Sequence, residues 1–109
     1  MAAEARQAGN VAISEPQPGR ISVTGELTFA NAREARLRGH QVFDASSAQV
    51  LVVDCSGVTR ADSAGLAVLL DWLAWGRRKS RAISLENLPD SLLAIARISE
   101  VDGLLGATA

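Results

Sequence analysis

Few residues in this chain have chemistry to offer: one histidine (His40), one cysteine (Cys55), and a polar run, Asp54-Cys55-Ser56-Gly57-Val58-Thr59-Arg60-Ala61-Asp62-Ser63, that leads into an apolar stretch. A nucleophilic Ser63 would need His40, which falls on the polar side of a predicted helix. Ser63 also lacks the G-x-S-x-G elbow, because Ala61 stands two residues before it. No G-x-x-x-x-G-K-[ST] phosphate loop is present, and no ligand spacing suits a metal. A single cysteine excludes an internal disulfide and an all-cysteine metal site. At the end of an apolar strand Cys55 reads as a small apolar residue. The expectation is a protein that is not an enzyme and carries no cofactor or metal.

Ser63 has two readings. It is an N-cap or first-turn residue beside Asp62, or it is a contact or phosphorylation switch. A phosphate there would add about −1.5 to −2 charges where the helix dipole tolerates an anion. Asp62 next door would resist that charge.

The elements that must hold this run follow from periodicity. Val50-Leu51-Val52-Val53 is a near-continuous apolar strand, as in the middle of a sheet covered on both faces. A tight polar turn is expected next. A helix then opens at Asp62-Ser63 and ends between Gly76 and Ser80. Its start leaves backbone N–H groups without helical partners. Upstream, residues 1–10 read as a flexible tail. Val11–Ser14 is a strand, Glu15-Pro16-Gln17-Pro18-Gly19 a turn, and Arg20–Gly25 an alternating strand that completes a hairpin. Thr28 is the expected N-cap of a helix over Phe29–Asp44, with Ala32, Ala35, Val42 and Phe43 inward and Arg33, Glu34, Arg36 and Arg38 in water. Gly39 weakens that helix by about 1 kcal/mol relative to Ala.

Downstream, Ala82–Glu86 is a strand, and Asn87-Leu88-Pro89 turns into a third helix with Leu92, Leu93, Ile95, Ala96 and Ile98 facing the core. Val101–Leu105 forms a last short helical piece. Right-handed crossovers give an α/β domain over residues 11–105, a four-stranded mixed sheet with three main helices. The run Arg77-Arg78-Lys79-Ser80-Arg81 reads as a helix end and a solvated loop.

The helix after Asp62 has two apolar faces. Leu66, Leu69, Leu70 and Leu73 share the one that meets the sheet. Val68, Trp72 and Trp75 share another. Either the third helix or the chain end covers the tryptophans, or they form a second partner surface.

Composition narrows the function classes. At 109 residues there is room for one domain, and the formal net charge of −1 lacks the basic excess of a dedicated nucleic-acid binder. No apolar run approaches the roughly 20 residues that span a bilayer. The start, Met1-Ala2-Ala3-Glu4-Ala5-Arg6-Gln7, lacks the features of a secretion signal, so the expectation is a soluble cytosolic protein.

The strand followed by Asp54-Cys55-Ser56-Gly57-Val58 and then Asp62-Ser63-Ala64-Gly65-Leu66 resembles the D-x-S-x-V … D-[ST]-x-G-L signature of STAS domains, the family of sulfate transporters and anti-sigma factor antagonists. Gly25-Glu26-Leu27 resembles the family's G-E-L after the second strand. Thr28–Ala32, Leu66–Leu73 and Asn87–Val101 are most similar to the MlaB-type subunit of the Mla phospholipid-transport ABC system of Gram-negative bacteria. The resemblance implies a non-catalytic cytosolic subunit. It would bind and support the transporter's ATPase, and through it reach the permease at the inner membrane, with no membrane insertion of its own. It implies a contact at Ser63, with Thr59, Arg60, Asp62 and Ala64 around it. In anti-sigma factor antagonists the matching serine is phosphorylated, so the alternative is an antagonist switched at Ser63.

Overall fold

The computed structural model describes residues 10–106. The tail expected over residues 1–10 lies, apart from Asn10, outside the described residues. The Asn10 carbonyl accepts a hydrogen bond from the Glu26 N–H (2.9 Å).

Strands β1 (Val11–Gln17) and β2 (Arg20–Leu27) form an antiparallel hairpin. β1 outlasts the expected Ser14 and runs through Pro16. It is an edge strand with a register shift there, so the missing N–H is tolerated. Gly19 closes the turn at φ +80°, a conformation that favours glycine. Helix α1 (Ala32–Ala45) crosses to β3 (Val50–Ala61), helix α2 (Ser63–Arg78) crosses to β4 (Ala82–Glu86), and α3 (Asp90–Ile98) follows. A turn of 3-10 helix, Asp102–Leu105, completes the expected terminal piece. The sheet order is β1-β2-β3-β4, with β3 parallel to both β2 and β4.

Alternation along the strands sends Ile13, Ile21, Val23, Leu51, Val53, Cys55 and Leu85 into the core. Their neighbours Ser14, Ser22, Thr24, Asp54 and Glu86 point to the other face. That face stays open to solvent, whereas the sequence of β3 suggests cover on both sides; Val50 is exposed and Val52 half-buried. Polar partners suit the open face. Arg20 reaches Glu86 at 2.9 Å and Asp54 at 3.4 Å.

Three further expectations are corrected. The tight turn after Asp54 is not a turn: β3 continues beside β2 as far as Ala61, opposite Leu27, and two register shifts absorb the mismatch. α1 starts three residues late. Asn31 Oδ1 accepts from the Thr28 N–H (3.0 Å), Asn31 Nδ2 donates to the Glu26 carbonyl (2.8 Å), and Thr28 Oγ1 accepts from the Ala30 N–H (3.3 Å). These short side chains capture the backbone groups a first helical turn would use. Phe29 is left 85% exposed. At the other end of the chain, Ile98 closes α3 on its exposed side, whereas Leu92, Leu93 and Ala96 are buried and Ile95 packs half-buried against the core, as expected.

The core between α1 and α2 corrects the rest. Val68, Trp72 and Trp75 are buried, so they are not a partner surface. Among the described residues α1, not α3, packs on the tryptophans. Phe43 meets Trp72 edge-on at 5.4 Å and lies 5.5 Å from Trp75. Gly39 is the reason the helices come this close, because a Cβ there would fall on the Trp72 indole. His40 is not a solvated residue either. Its ring stacks on Trp75 at 5.8 Å, and Nε2 lies 2.7 Å from Asp71 Oδ2. Arg81 stays in the expected loop but is not simply solvated: its guanidinium donates to the carbonyls of Phe43 (2.6 Å), Ser46 (2.9 Å) and Ala48.

Candidate partner-binding site

The residues around Ser63 come together where β2 and β3 end and α2 begins. Asp62 is the N-cap. Its Oδ1 accepts from the N–H groups of Ala64 (2.9 Å) and Gly65 (3.1 Å), and its Oδ2 accepts from the Phe29 N–H (3.0 Å). One carboxylate thus joins the start of α2 to the loop before α1. Burial pushes its pKa up, but the three N–H donors and nearby Arg60 outweigh that, and the carboxyl is held below its ordinary value. Gly65 lets the helix sit directly on the end of β2, since a Cβ at this position would strike the Leu27 carbonyl.

Ser63 is therefore the first helical residue and not the cap. It is exposed, and Ala64 beside it is half-buried. Thr59 is exposed and donates its hydroxyl to the Gly25 carbonyl (3.3 Å). Arg60 is exposed on the same strand end, opposite Glu26. All five residues singled out around Ser63 lie in one region. Val68, Trp72 and Trp75 lie farther along α2, in the core.

Two hollows border α1, one of them at the start of α2, and the sequence reading missed both. One, about 280 Å³, runs between α1 and α2 over Ala32, Ala64, Ala67 and Val68, with Arg33 and Arg36 on its rim. The other, about 470 Å³, lies on the outer side of α1 and includes Phe29, Arg33, Glu34, Leu37 and Arg38. Placing Phe29 inside a helix concealed the second. The signal that would have revealed it is Asn31, whose short amide side chain favours a cap over a helix interior.

The same geometry limits the chemistry. His40 is committed to Asp71, which sits eight residues into α2, about 12 Å along the axis from Ser63, so the two cannot share a triad. Cys55 is buried, and burial together with Asp54 pushes its thiol up to about 12, far from a reactive thiolate. Among the described residues no group of histidine, cysteine, aspartate or glutamate side chains can hold a metal ion.

The family model for the MlaB STAS domain matches residues 12–106. The chain belongs to the STAS family. No curated protein matches it. Among solved structures, this STAS domain is similar to an anti-sigma factor antagonist from Mycobacterium paratuberculosis (20% identity, 92% of this chain and 85% of that one, TM-score 0.64). It is also similar to SpoIIAA, a Bacillus cell fate determinant, in its phosphorylated form (12% identity, 88% and 87%, TM-score 0.63). The anti-sigma factor antagonist SpoIIAA in its unphosphorylated form gives 11% identity, 84% and 82%, and a TM-score of 0.58. At these identities the likeness is one of fold: a four-stranded mixed sheet with three helices.

Proposed function

We propose that this STAS domain is a non-catalytic cytoplasmic subunit that docks on the ATPase of an ABC transporter moving phospholipid between inner and outer membranes. The observation that carries the reading is the division of labour at the start of α2. Asp62 holds the fold, while Ser63 is exposed beside the groove between the two helices. Ser63, Ala64, Thr59 and Arg60 then face the ATPase, and Asp62 fixes their frame. The match to the MlaB family model supports the choice of partner. Among the described residues no helix is long and apolar enough to cross a membrane, which suits a subunit that reaches the inner membrane through its partner.

Titration of the purified ATPase with the full chain tests this. Arg60→Glu and Ser63→Asp should each weaken binding by about tenfold, as expected for central contacts. Unchanged affinity in both variants removes the site.

A second reading rests on the exposure of the same serine. Ser63 stands at a helix N-terminus that tolerates an anion, as a phosphorylation switch in an anti-sigma factor antagonist requires. Purification of the tagged chain from its own cells separates the two. An ABC ATPase with its permease and an unmodified Ser63 peptide support the transporter subunit. A kinase with a phosphate on Ser63 supports the switch.

A further inference from the structure

Arg33 and Arg36 stand at i and i+3 on α1, so they are neighbours on one side of the helix. Both border the groove of about 280 Å³ between α1 and α2, whose other lining residues are Ala32, Ala64, Ala67 and Val68. The charged lining is therefore positive only. Arg33 is exposed at the crest of α1 and also borders the outer hollow, where Glu34 lies; Arg36 is half-buried and borders the inner groove alone. Neither arginine forms an ion pair among the described residues. The other acids near the groove bond elsewhere. Asp71 is held by His40, and Asp62 accepts from three backbone N–H groups. Like charges at this helical spacing repel, so the pair gains from an anion that the groove itself does not supply.

We infer that this groove seats one acidic side chain of the ATPase, an aspartate or glutamate whose carboxylate meets the guanidinium groups of Arg36 and Arg33. The assignment rests on the ATPase reading above and deepens it, by naming the chemistry the partner brings to the start of α2. Three observations select this occupant. The charged lining calls for an anion. The rest of the lining is apolar and mostly alanine, so an entering side chain can lay its methylene groups on it and keep its carboxylate at the rim. Ala64 belongs both to the groove and to the contact around Ser63, so a partner docked at Ser63 already stands at the groove's mouth. A guanidinium takes a carboxylate through two parallel N–H bonds, which orients the partner as well as attracting it. A layer of lipid headgroups meets a protein over a broad surface, whereas these cations border a cleft between two helices.

The test is the affinity of the full chain for the ATPase, measured across a salt series. Arg36→Gln should weaken binding by at least about tenfold, and R33Q/R36Q should weaken it further and flatten its dependence on salt. Arg36→Lys, which keeps the charge without the planar fork, should recover part of the loss. If R33Q/R36Q fails to fold by circular dichroism, Arg36→Gln and Ala67→Gln carry the test, since a longer side chain at exposed Ala67 fills the groove and should also weaken binding. Charge exchange identifies the occupant. Against Arg36→Glu, the exposed aspartates and glutamates of the ATPase are changed to lysine one at a time, and one of them should restore affinity. If none does, the inference is overturned. If Ser63→Asp weakens binding while the arginine variants do not, the inference falls and the transporter reading stands. If the unaltered chain does not bind the ATPase, both fall. If phosphatidylglycerol vesicles bind the unaltered chain and not R33Q/R36Q, while ATPase affinity is the same for both, the arginines serve lipid and the inference is overturned.

Discussion

Asp62 and Ser63 are adjacent, yet they answer to different forces. Asp62 accepts three backbone N–H bonds, so its loss is a loss of stability. Asp62→Ala should cost about 1–2 kcal/mol, in the range of a lost N-cap, and a lowered urea midpoint would show it. Ser63→Asp should leave that midpoint within about 0.5 kcal/mol, because the residue is exposed and outside the cap. Acid reports on a second carboxylate. Asp54 accepts from Asn87 (3.0 Å) and from the Ser56 N–H (2.9 Å), and these bonds hold its pKa at about 2 against an ordinary 3.8. A depressed carboxyl contributes its full stabilisation above the unfolded value. It loses that stabilisation as pH falls through the folded one. Stability should therefore drop between about pH 4 and pH 2, by about 1–2 kcal/mol from this group after solvent screening. Asp54→Asn should flatten that limb of the pH profile, and an unchanged slope would show that Asp54 does not drive it.

Element by element, the two central helices show what can be read from one chain and what cannot. The start of α2 was legible because a cap is local: an aspartate, a small residue and a glycine at fixed spacing mark it. Arg33, Glu34 and Arg38 were legible as a wet helix face, whereas Arg36, expected there too, is half-buried at the groove between α1 and α2. The cover over Trp72 and Trp75 was not legible, because which helix lies against which is a matter of crossover geometry, and periodicity reports only that a face is apolar. β3 misled for a related reason. Its polar second half resembles a turn by composition, and only its pairing with β2 keeps it extended as far as Ala61. Gly39 combines both lessons. Propensity says alanine would strengthen α1 by about 1 kcal/mol, whereas packing says a methyl group would collide with the Trp72 ring. Overpacking costs about 1–3 kcal/mol, so Gly39→Ala should be destabilising on balance, by about 1 kcal/mol or more. Paired urea titrations decide the sign, and a stabilised variant would mean that α1 can slide off the indole.

Over the whole molecule the aromatic residues divide into two populations with separate duties. Phe43, Trp72 and Trp75 form one cluster that fastens α1 to α2, while Phe29 stands alone outside. The division matters because the described residues cover the sheet on one face only, which leaves the helical layer to supply the core. The cluster between α1 and α2 must then bear a large share of the stability of a small domain. Trp72→Ala opens a cavity at the centre of that layer and should cost about 3–5 kcal/mol, enough to bring a domain of ordinary stability close to unfolding. Phe29→Ala removes a ring already in water and should change stability by no more than about 0.5 kcal/mol. Chemical denaturation of the two variants side by side measures both. A large loss for Trp72 with none for Phe29 would establish that the ring kept outside the core takes no part in folding. Comparable losses would mean that Phe29 packs against the domain in solution.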